Sequence, residues 1–212
     1  MKTYTVCLVG LESRLAVVVG GGVVAAQKIK GLLAAEAQLK VISPALIPEL
    51  QALVDDGKLL YLPRQYQDGD LEGAYLAIAA TDDSEVNHAV WAEAQRWNIL
   101  VNVVDDPEHC SFFLPAMVRR GELSIAISTG GCSPALARWL REQIETIIGE
   151  EFGIWAEIMA ELRPEMMTQF PPGEARQDAA FRVIHSDILK VISNEGKDAA
   201  LSYAREQLAP RI

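Results

Sequence analysis

Apolar residues fall in short unbroken runs over the first half of the chain and in spaced stripes over the second. Leu15–Val19 is a continuous apolar, mostly β-branched run that ends in Gly20-Gly21-Gly22. Its lack of alternation predicts a parallel strand covered on both faces. In residues 23–35, Ala25, Ala26, Ile29, Leu32 and Leu33 recur at helical spacing. Residues 39–42 form the next strand, stopped by Ser43-Pro44. Pro48–Asp55 is a short helix with proline at its start, and residues 59–62 are a third strand. A fourth strand at 75–80, a helix over Ser84–Trp97 and a fifth strand at 100–104 complete the series. Strands and helices that alternate through short connections predict an α/β fold, a doubly wound parallel sheet of Rossmann type.

The pattern changes after Asp106-Pro107. Residues 112–118 are mostly apolar, 123–128 are strand-like, and Thr129-Gly130-Gly131 is a turn. A strong helix follows over 134–148, with Ser133 as N-cap and Pro134 at its first position. From Gly153 the pattern is helical, broken at Phe170-Pro171-Pro172-Gly173, a candidate hinge. The chain therefore divides into a dinucleotide-binding domain (1–112), a small α+β segment (113–149) and a helical region (150–212). No internal repeat is present.

Composition narrows the functional classes. Half of the 212 residues are hydrophobic, enough for a sizeable core. The net charge is −10, which repels phosphate backbones and argues against a nucleic-acid partner. Cys7, Cys110 and Cys132 are scattered, with no paired spacing, so they predict reduced thiols rather than disulfides or a zinc site. The N-terminus lacks a signal-peptide pattern, and no run reaches the ~18 apolar residues of a spanning helix. A cytoplasmic protein without membrane contact is expected.

Gly20-Gly21-Gly22-Val23-Val24-Ala25 fits GxGxxA between a predicted strand and a predicted helix. Gly20 permits the tight turn, Gly22 lets the backbone approach a pyrophosphate, and Ala25 packs the helix close to the sheet. The helix opening at Val23 and Val24 offers free N–H groups and a positive dipole end to the phosphates. The acidic residue that usually ends the second strand is absent; Ser43 and Pro44 stand there, so a hydroxyl or the backbone must hold the ribose, and NAD is not distinguished from NADP. Thr81 and Asp82 follow the fourth strand at the crevice, with Asp82 or Asp83 as an alternative cap of the next helix. Asp105, at the carboxyl end of the fifth strand, can serve as a proton acceptor or open the turn before Pro107. Ser128 to Ser133, with two glycines before a helix, can form an anion-binding concavity or a plain connection. Arg119, Arg120, Arg138 and Arg141 cluster around it and can bind carboxylates or pair with Glu142 and Glu145. His88, His109 and His185 are widely separated and fit no ligand spacing, so neither a resident metal nor a catalytic histidine is expected.

Four blocks carry a family resemblance: Val17 to Ala25 (VVVGGGVVA), IAATDDSEVN at 78–87, Asn102-Val103-Val104-Asp105, and STGGCSPALAR at 128–138. Together they resemble the precorrin-2 dehydrogenase / sirohydrochlorin ferrochelatase family, in order from about Leu11 to Gly149. The resemblance implies NAD-dependent oxidation of precorrin-2 to sirohydrochlorin, with Asp105 as the key acid and Asp106 left to the turn. It leaves open whether Fe²⁺ is then taken as a second substrate and inserted. It also implies a homodimer exchanging contacts through the middle segment. Ser128, Gly130, Gly131, Ser133 and Arg138 become candidates for holding a tetrapyrrole carboxylate. The opening departs from the family, with Thr3-Tyr4-Thr5 where a proline is usual, and the roughly sixty residues after Gly149 are too few for a methyltransferase domain, so a stand-alone dehydrogenase is expected. A non-catalytic dinucleotide-sensing module is the competing reading; against it stand the missing acidic residue after the second strand and the SIAISTGGCSPALAR block at 124–138, which has no counterpart in such modules.

Overall fold

The computed structural model describes residues 2–208; Met1 and residues 209–212, the outer ends of the first and third predicted divisions, lie outside the described residues. The chain forms two compact units, one running to Leu114 and the other beginning at Pro115.

The first unit is built on β1 (Leu15–Val19), β2 (Gln38–Ile42), β3 (Leu60–Leu62), β4 (Ala74–Ala79) and β5 (Leu100–Val103). Their order across the sheet is β3-β2-β1-β4-β5, and all pairs are parallel. The strand order reverses direction between β1 and β4, the switch point where open α/β sheets bind ligands. Three helices cover the sheet: α1 (Val23–Leu33), α2 (Pro48–Asp55) and α3 (Ser84–Trp97). Ala16 and Val18 of β1 pack in one core with Ile29 of α1 and Leu50 of α2. Val17 and Val19 enter a second core with Val90 and Ala94 of α3. Both faces of β1 are thus buried, which is why its sequence does not alternate. The fold class is the α/β Rossmann type that the sequence predicts.

No helix links β3 to β4. Polar side chains shape the connecting segment instead. Asp70, only 8% exposed, accepts both Arg64 guanidinium nitrogens at 2.7 and 2.6 Å and the Gln67 amide at 2.8 Å. The hydrogen bond from Arg64 holds the Asp70 carboxyl below its ordinary range. Lys40 Nζ donates to the Asp70 carbonyl at 2.7 Å, tying the segment to β2. Next to it, Leu71 is fully buried, and its amide donates to the buried Glu93 of α3 at 3.1 Å. The Tyr66 hydroxyl also donates to Glu93; burial, followed by that bond, pushes the phenol far above its usual value.

The free edge of β5 is covered by the chain that returns after it. Val101 and Ser111 exchange bonds, with Val101 N–H to Ser111 Oγ at 2.7 Å and Ser111 N–H to the Val101 carbonyl at 2.8 Å. Asn102 Nδ2 donates to the Phe112 carbonyl at 3.0 Å, and Val103 N–H donates to Cys110 Sγ at 3.2 Å. This occupies an edge that would otherwise template another strand. Burial raises the Cys110 thiol, as befits a structural role. All three cysteines are free.

The second unit opens with an antiparallel hairpin, β6 (Ala116–Arg120) and β7 (Leu123–Ile127). α4 (Pro134–Glu145) follows, capped as predicted: the Ser133 hydroxyl accepts from Leu136 N–H at 3.2 Å and Pro134 is the first helical residue. A bundle of α5 (Glu151–Gln169), α6 (Glu174–Ile184), α7 (Ile188–Glu195) and α8 (Lys197–Leu208) completes it. Its core includes Ile158, Leu162, Val183, Ile188 and Ala204. Lys197 bridges Glu157 and Glu161 at 2.7 and 2.8 Å, joining α8 to α5. The break at 170–173 is tied down by Arg176, whose Nη2 donates to the Phe170 carbonyl at 3.0 Å.

The predicted division at 149/150 does not separate compact units. Hairpin, α4 and bundle form one body, because Gly153 lets α5 sit directly on β6. A Cβ there would lie 2.7 Å from the Arg120 carbonyl oxygen.

Candidate functional site

The glycine turn sits at the carboxyl end of β1, hydrogen-bonded to both neighbouring strands. Gly20 N–H donates to the Ile42 carbonyl at 2.9 Å, and Ala80 N–H to the Val19 carbonyl at 2.8 Å. Gly20 has φ +127°, and a Cβ on it would come within 2.2 Å of the Ala80 oxygen. At Gly21 a Cβ would meet the Ala45 oxygen at 2.0 Å and Ser43 Oγ at 2.7 Å. These two glycines are therefore required by the fold itself. Gly22 differs: its backbone is extended, with φ −92°, and a Cβ would meet nothing within 4 Å. No contact inside the protein demands glycine there.

Gly22 is also the N-cap of α1 and supplies no side-chain cap; the first turn of the helix holds no acidic residue. Val23 and Val24 at its opening are 62% and 41% exposed. Ala25 is fully buried against the sheet. An uncapped helix N-terminus with open space beside a glycine and no carboxylate to repel it fits a pyrophosphate.

The structure places the other predicted cofactor residues around this turn with different degrees of freedom. Ser43, 8% exposed, donates its hydroxyl to the Ala45 carbonyl at 2.7 Å, while its own carbonyl accepts from the Tyr61 hydroxyl at 3.0 Å. Its hydroxyl can only accept a further bond. Pro44 beside it is exposed. The Thr81 hydroxyl is engaged with Asn87 Oδ1 at 2.8 Å, and Asn87 Nδ2 returns a bond to the Thr81 carbonyl at 2.9 Å. Asn87, which sequence reasoning did not single out, thus fixes the loop after β4. Asp83 caps α3 by accepting from Glu85 and Val86 N–H groups at 2.9 and 3.2 Å. Asp82 between them is exposed.

Asp105 lies two residues beyond β5, at the same end of the sheet. It is exposed and in the left-handed region, with φ +61°. That conformation costs an L-residue about 1–2 kcal/mol, and aspartate is among the few that adopt it. Among the described residues its carboxylate has no hydrogen bond or ion pair. Its neighbour is committed elsewhere: Asp106 Oδ2 lies 2.6 Å from His109 Nδ1. His109 stacks edge-on with Trp91, at 4.5 Å between centroids, and with His88 at 5.4 Å. The predicted isolation of the histidines is therefore corrected. Two of the three converge because β4 and β5 are adjacent and parallel, so α3 and the loop after β5 start side by side; linear spacing carries no sign of this.

In the second unit, Gly130 and Gly131 are both left-handed, with φ +62° and +84°. Ser128 Oγ accepts from Gly130 N–H at 3.2 Å. Thr129 Oγ1 accepts from Ser133 N–H at 3.0 Å and donates to the Ser133 carbonyl at 3.1 Å, pinching the turn shut. Gly130 N–H is engaged by the Ser128 hydroxyl, while among the described residues Gly131 N–H makes no hydrogen bond. The Ser133 hydroxyl is used by its cap. Arg138 pairs with Glu142 at 3.1 Å but is 77% exposed, a surface pair that costs little to break. Arg141 holds Glu145 at 2.7 Å, and Arg120 donates to the Ile148 carbonyl at 2.9 Å, so neither is free.

Among the described residues, no group of three or more His, Cys, Asp and Glu is placed to hold a metal ion, and no helix is long and apolar enough to cross a membrane.

Comparison with known proteins agrees with this geometry. A model described as putative NAD(P)-binding matches residues 7–116, and one described as sirohaem biosynthesis protein central matches residues 120–146. The siroheme synthase of Methylobacillus flagellatus is 41% identical over 202 residues, covering 93% of this chain and 42% of that protein. The siroheme synthase of Chromobacterium violaceum is 40% identical over 202 residues, covering 95% and 42%. This chain spans about two-fifths of the length of these relatives. The solved structure of SirC, precorrin-2 dehydrogenase, superposes with a TM-score of 0.70 at 28% identity, covering 97% of each chain. The chain belongs to the putative NAD(P)-binding family, and the segment behind that domain is similar to the central part of sirohaem biosynthesis proteins.

Proposed function

We propose that this protein oxidises precorrin-2 to sirohydrochlorin with NAD as oxidant. The observation that carries the reading is Asp105: an exposed carboxylate without a partner among the described residues, held in a costly backbone conformation at the ligand-binding end of an NAD(P)-binding sheet. The kinship with siroheme synthases and with a precorrin-2 dehydrogenase supplies the substrate.

Oxidation removes a hydride and a proton from the tetrapyrrole. A nicotinamide dinucleotide, when bound, supplies the hydride acceptor. Gly20, Gly21, Gly22, Val23 and Val24 hold its pyrophosphate through backbone N–H groups; Ser43 and Pro44 border the ribose, and Thr81 and Asp82 line the crevice. With no charge at the end of β2, the ribose is held by backbone and by the accepting face of the Ser43 hydroxyl. Asp105 accepts the proton at its carboxylate. In the second unit, Ser128, Gly130 and Gly131 hold a substrate carboxylate, with Arg138 released from Glu142 to join them and Ser133 keeping the turn in shape. Fe²⁺ insertion into the product is a second activity to be scored in the same assay.

A homodimer is part of this proposal. α4 buries only Ala137, while Leu136 and Trp139 are 48% and 54% exposed, and Ile147 beyond it is 70% exposed. Such an apolar face on a sirohaem central segment suits contact with a second copy. The three free thiols suit the reducing cytoplasm.

The test is anaerobic turnover of enzymatically prepared precorrin-2 with NAD, followed by absorbance, for wild type and Asp105→Asn, with Fe²⁺ added afterwards. Sirohydrochlorin from wild type alone sustains the reading. A wild type that binds NAD and leaves precorrin-2 unchanged refutes it and makes the protein a dinucleotide sensor.

A further inference from the structure

The His88–Trp91–His109 cluster lies outside the proposed hydride and proton chemistry, yet its parts are those of a metal-docking site. His109 Nδ1 is 2.6 Å from Asp106 Oδ2. In the neutral imidazole this makes Nδ1 the donor and leaves the Nε2 lone pair free, the tautomer that a carboxylate imposes on ligating histidines. His109 and Asp106 side chains keep 31% and 42% exposure, and His88 is exposed, so solvent ions reach them. Among the described residues, His88 makes ring contacts only, with Trp91 at 5.0 Å and His109 at 5.4 Å between centroids.

The spacing can be checked against coordination geometry. A metal about 2.1 Å from an imidazole nitrogen lies about 3.2 Å from the ring centroid, so two ligands at about 110° place their centroids about 5.2 Å apart. The observed separation is 5.4 Å with the rings edge-on at 84°, so the distance fits and ring orientation is what must adjust when an ion binds. A purely apolar ring cluster would be served as well by phenylalanine and would not need a carboxylate on one ring.

We propose that His88 and His109, with Asp106 orienting His109, form a docking site for a divalent first-row transition metal at the carboxyl end of β5. Imidazole suits the borderline ions of that series, Fe²⁺ to Zn²⁺. Two protein ligands, with water completing the shell, bind and release the ion rather than retain it. The site does not depend on the oxidation proposed above, and its test reads binding alone.

Co²⁺ is the probe. It is titrated into the metal-free full chain by calorimetry and by tryptophan fluorescence, which the paramagnetic ion quenches at close range. Saturable binding with quenching is expected. His88→Gln and His109→Gln each weaken it at least tenfold, and Asp106→Asn by about 10–100-fold, the usual cost of losing a carboxylate behind a ligating histidine. His185→Gln, in the second unit, leaves it unchanged. Trp91→Phe keeps the calorimetric binding and removes most of the quenching, which places the ion. Thermal melts confirm that each variant is folded. Absence of saturable binding up to about 1 mM overturns the proposal. So does equal affinity in wild type, His88→Gln and His109→Gln.

Discussion

Replacing Gly22 with alanine separates what the glycine turn does for the fold from what it does for a dinucleotide. The backbone at Gly22 is extended and a Cβ there meets nothing within 4 Å. The folded state therefore accepts the methyl group without strain. The unfolded chain loses freedom, which favours the variant by about 0.4–1 kcal/mol, but alanine caps the start of α1 less well than glycine by a similar amount, so the two effects nearly cancel. For a chain of this length Tm therefore stays within about 4 °C of wild type. Dinucleotide binding falls much further. The methyl occupies the space through which the pyrophosphate reaches the N–H groups of α1. Losing one charge-assisted hydrogen bond costs about 1.5–3 kcal/mol, or about ten- to hundredfold in Kd. Gly20→Ala supplies the contrast: its Cβ would sit 2.2 Å from a backbone oxygen at φ +127°, so that variant loses stability first. Calorimetric titration with NAD and NADH alongside thermal melts reads both quantities. An unchanged Kd in a fully folded Gly22→Ala protein would refute the assignment of the pyrophosphate to this turn.

Other perturbations have equally definite outcomes. Asp105→Asn, which tolerates the left-handed backbone, should lower precorrin-2 turnover by about 10²–10⁴ and leave NAD affinity within about twofold; near-normal turnover removes Asp105 from the chemistry. Asp70 is held below its ordinary value of about 3.9, so the stability from its pair with Arg64 is complete above that pH and is lost as pH falls through the lowered value. Urea melts should then show Asp70→Asn clearly weaker than wild type at neutral pH, with the gap closing in acid; a pH-independent gap contradicts the pairing. Trp139→Glu should shift the protein toward monomers in sedimentation without lowering Tm, since the residue is 54% exposed in the single chain; an unchanged dimer moves the contact elsewhere.

Features with local causes were legible in the sequence. Pro48–Asp55 and Ser84–Trp97 have the predicted bounds, because a proline at one start and the Asp83 cap at the other are written next to the helices they begin. The first strand and its glycine turn were equally readable. Boundaries set by tertiary contact were less so. The apolar run 112–118 looked like one segment, but Phe112 packs in the first core while Ala116 begins β6. The segment between β3 and β4 owes its shape to Arg64, Asp70 and Glu93, which hydropathy scores only as polar residues. At the candidate site, Thr81 was placed correctly in the loop, yet its hydroxyl is spent on Asn87. Partnership of that kind depends on side-chain direction, which a one-dimensional pattern does not encode.

The glycine turn and the loop after β2 are one piece of architecture. The Ala45 carbonyl fills the space beside Gly21, Ile47 N–H donates to the Gly21 carbonyl at 2.9 Å, and the Ser43 hydroxyl closes the same loop. This loop is where a cofactor's ribose is discriminated. Evolution therefore cannot retool cofactor preference by a single exchange at Ser43. A longer or charged residue would displace the Ala45 carbonyl and unseat the turn proposed to hold the phosphates. A switch between NAD and NADP is therefore expected to rework the 43–47 loop as a unit while keeping glycine at 21, a mutational coupling that makes preference slow to drift and abrupt when it changes.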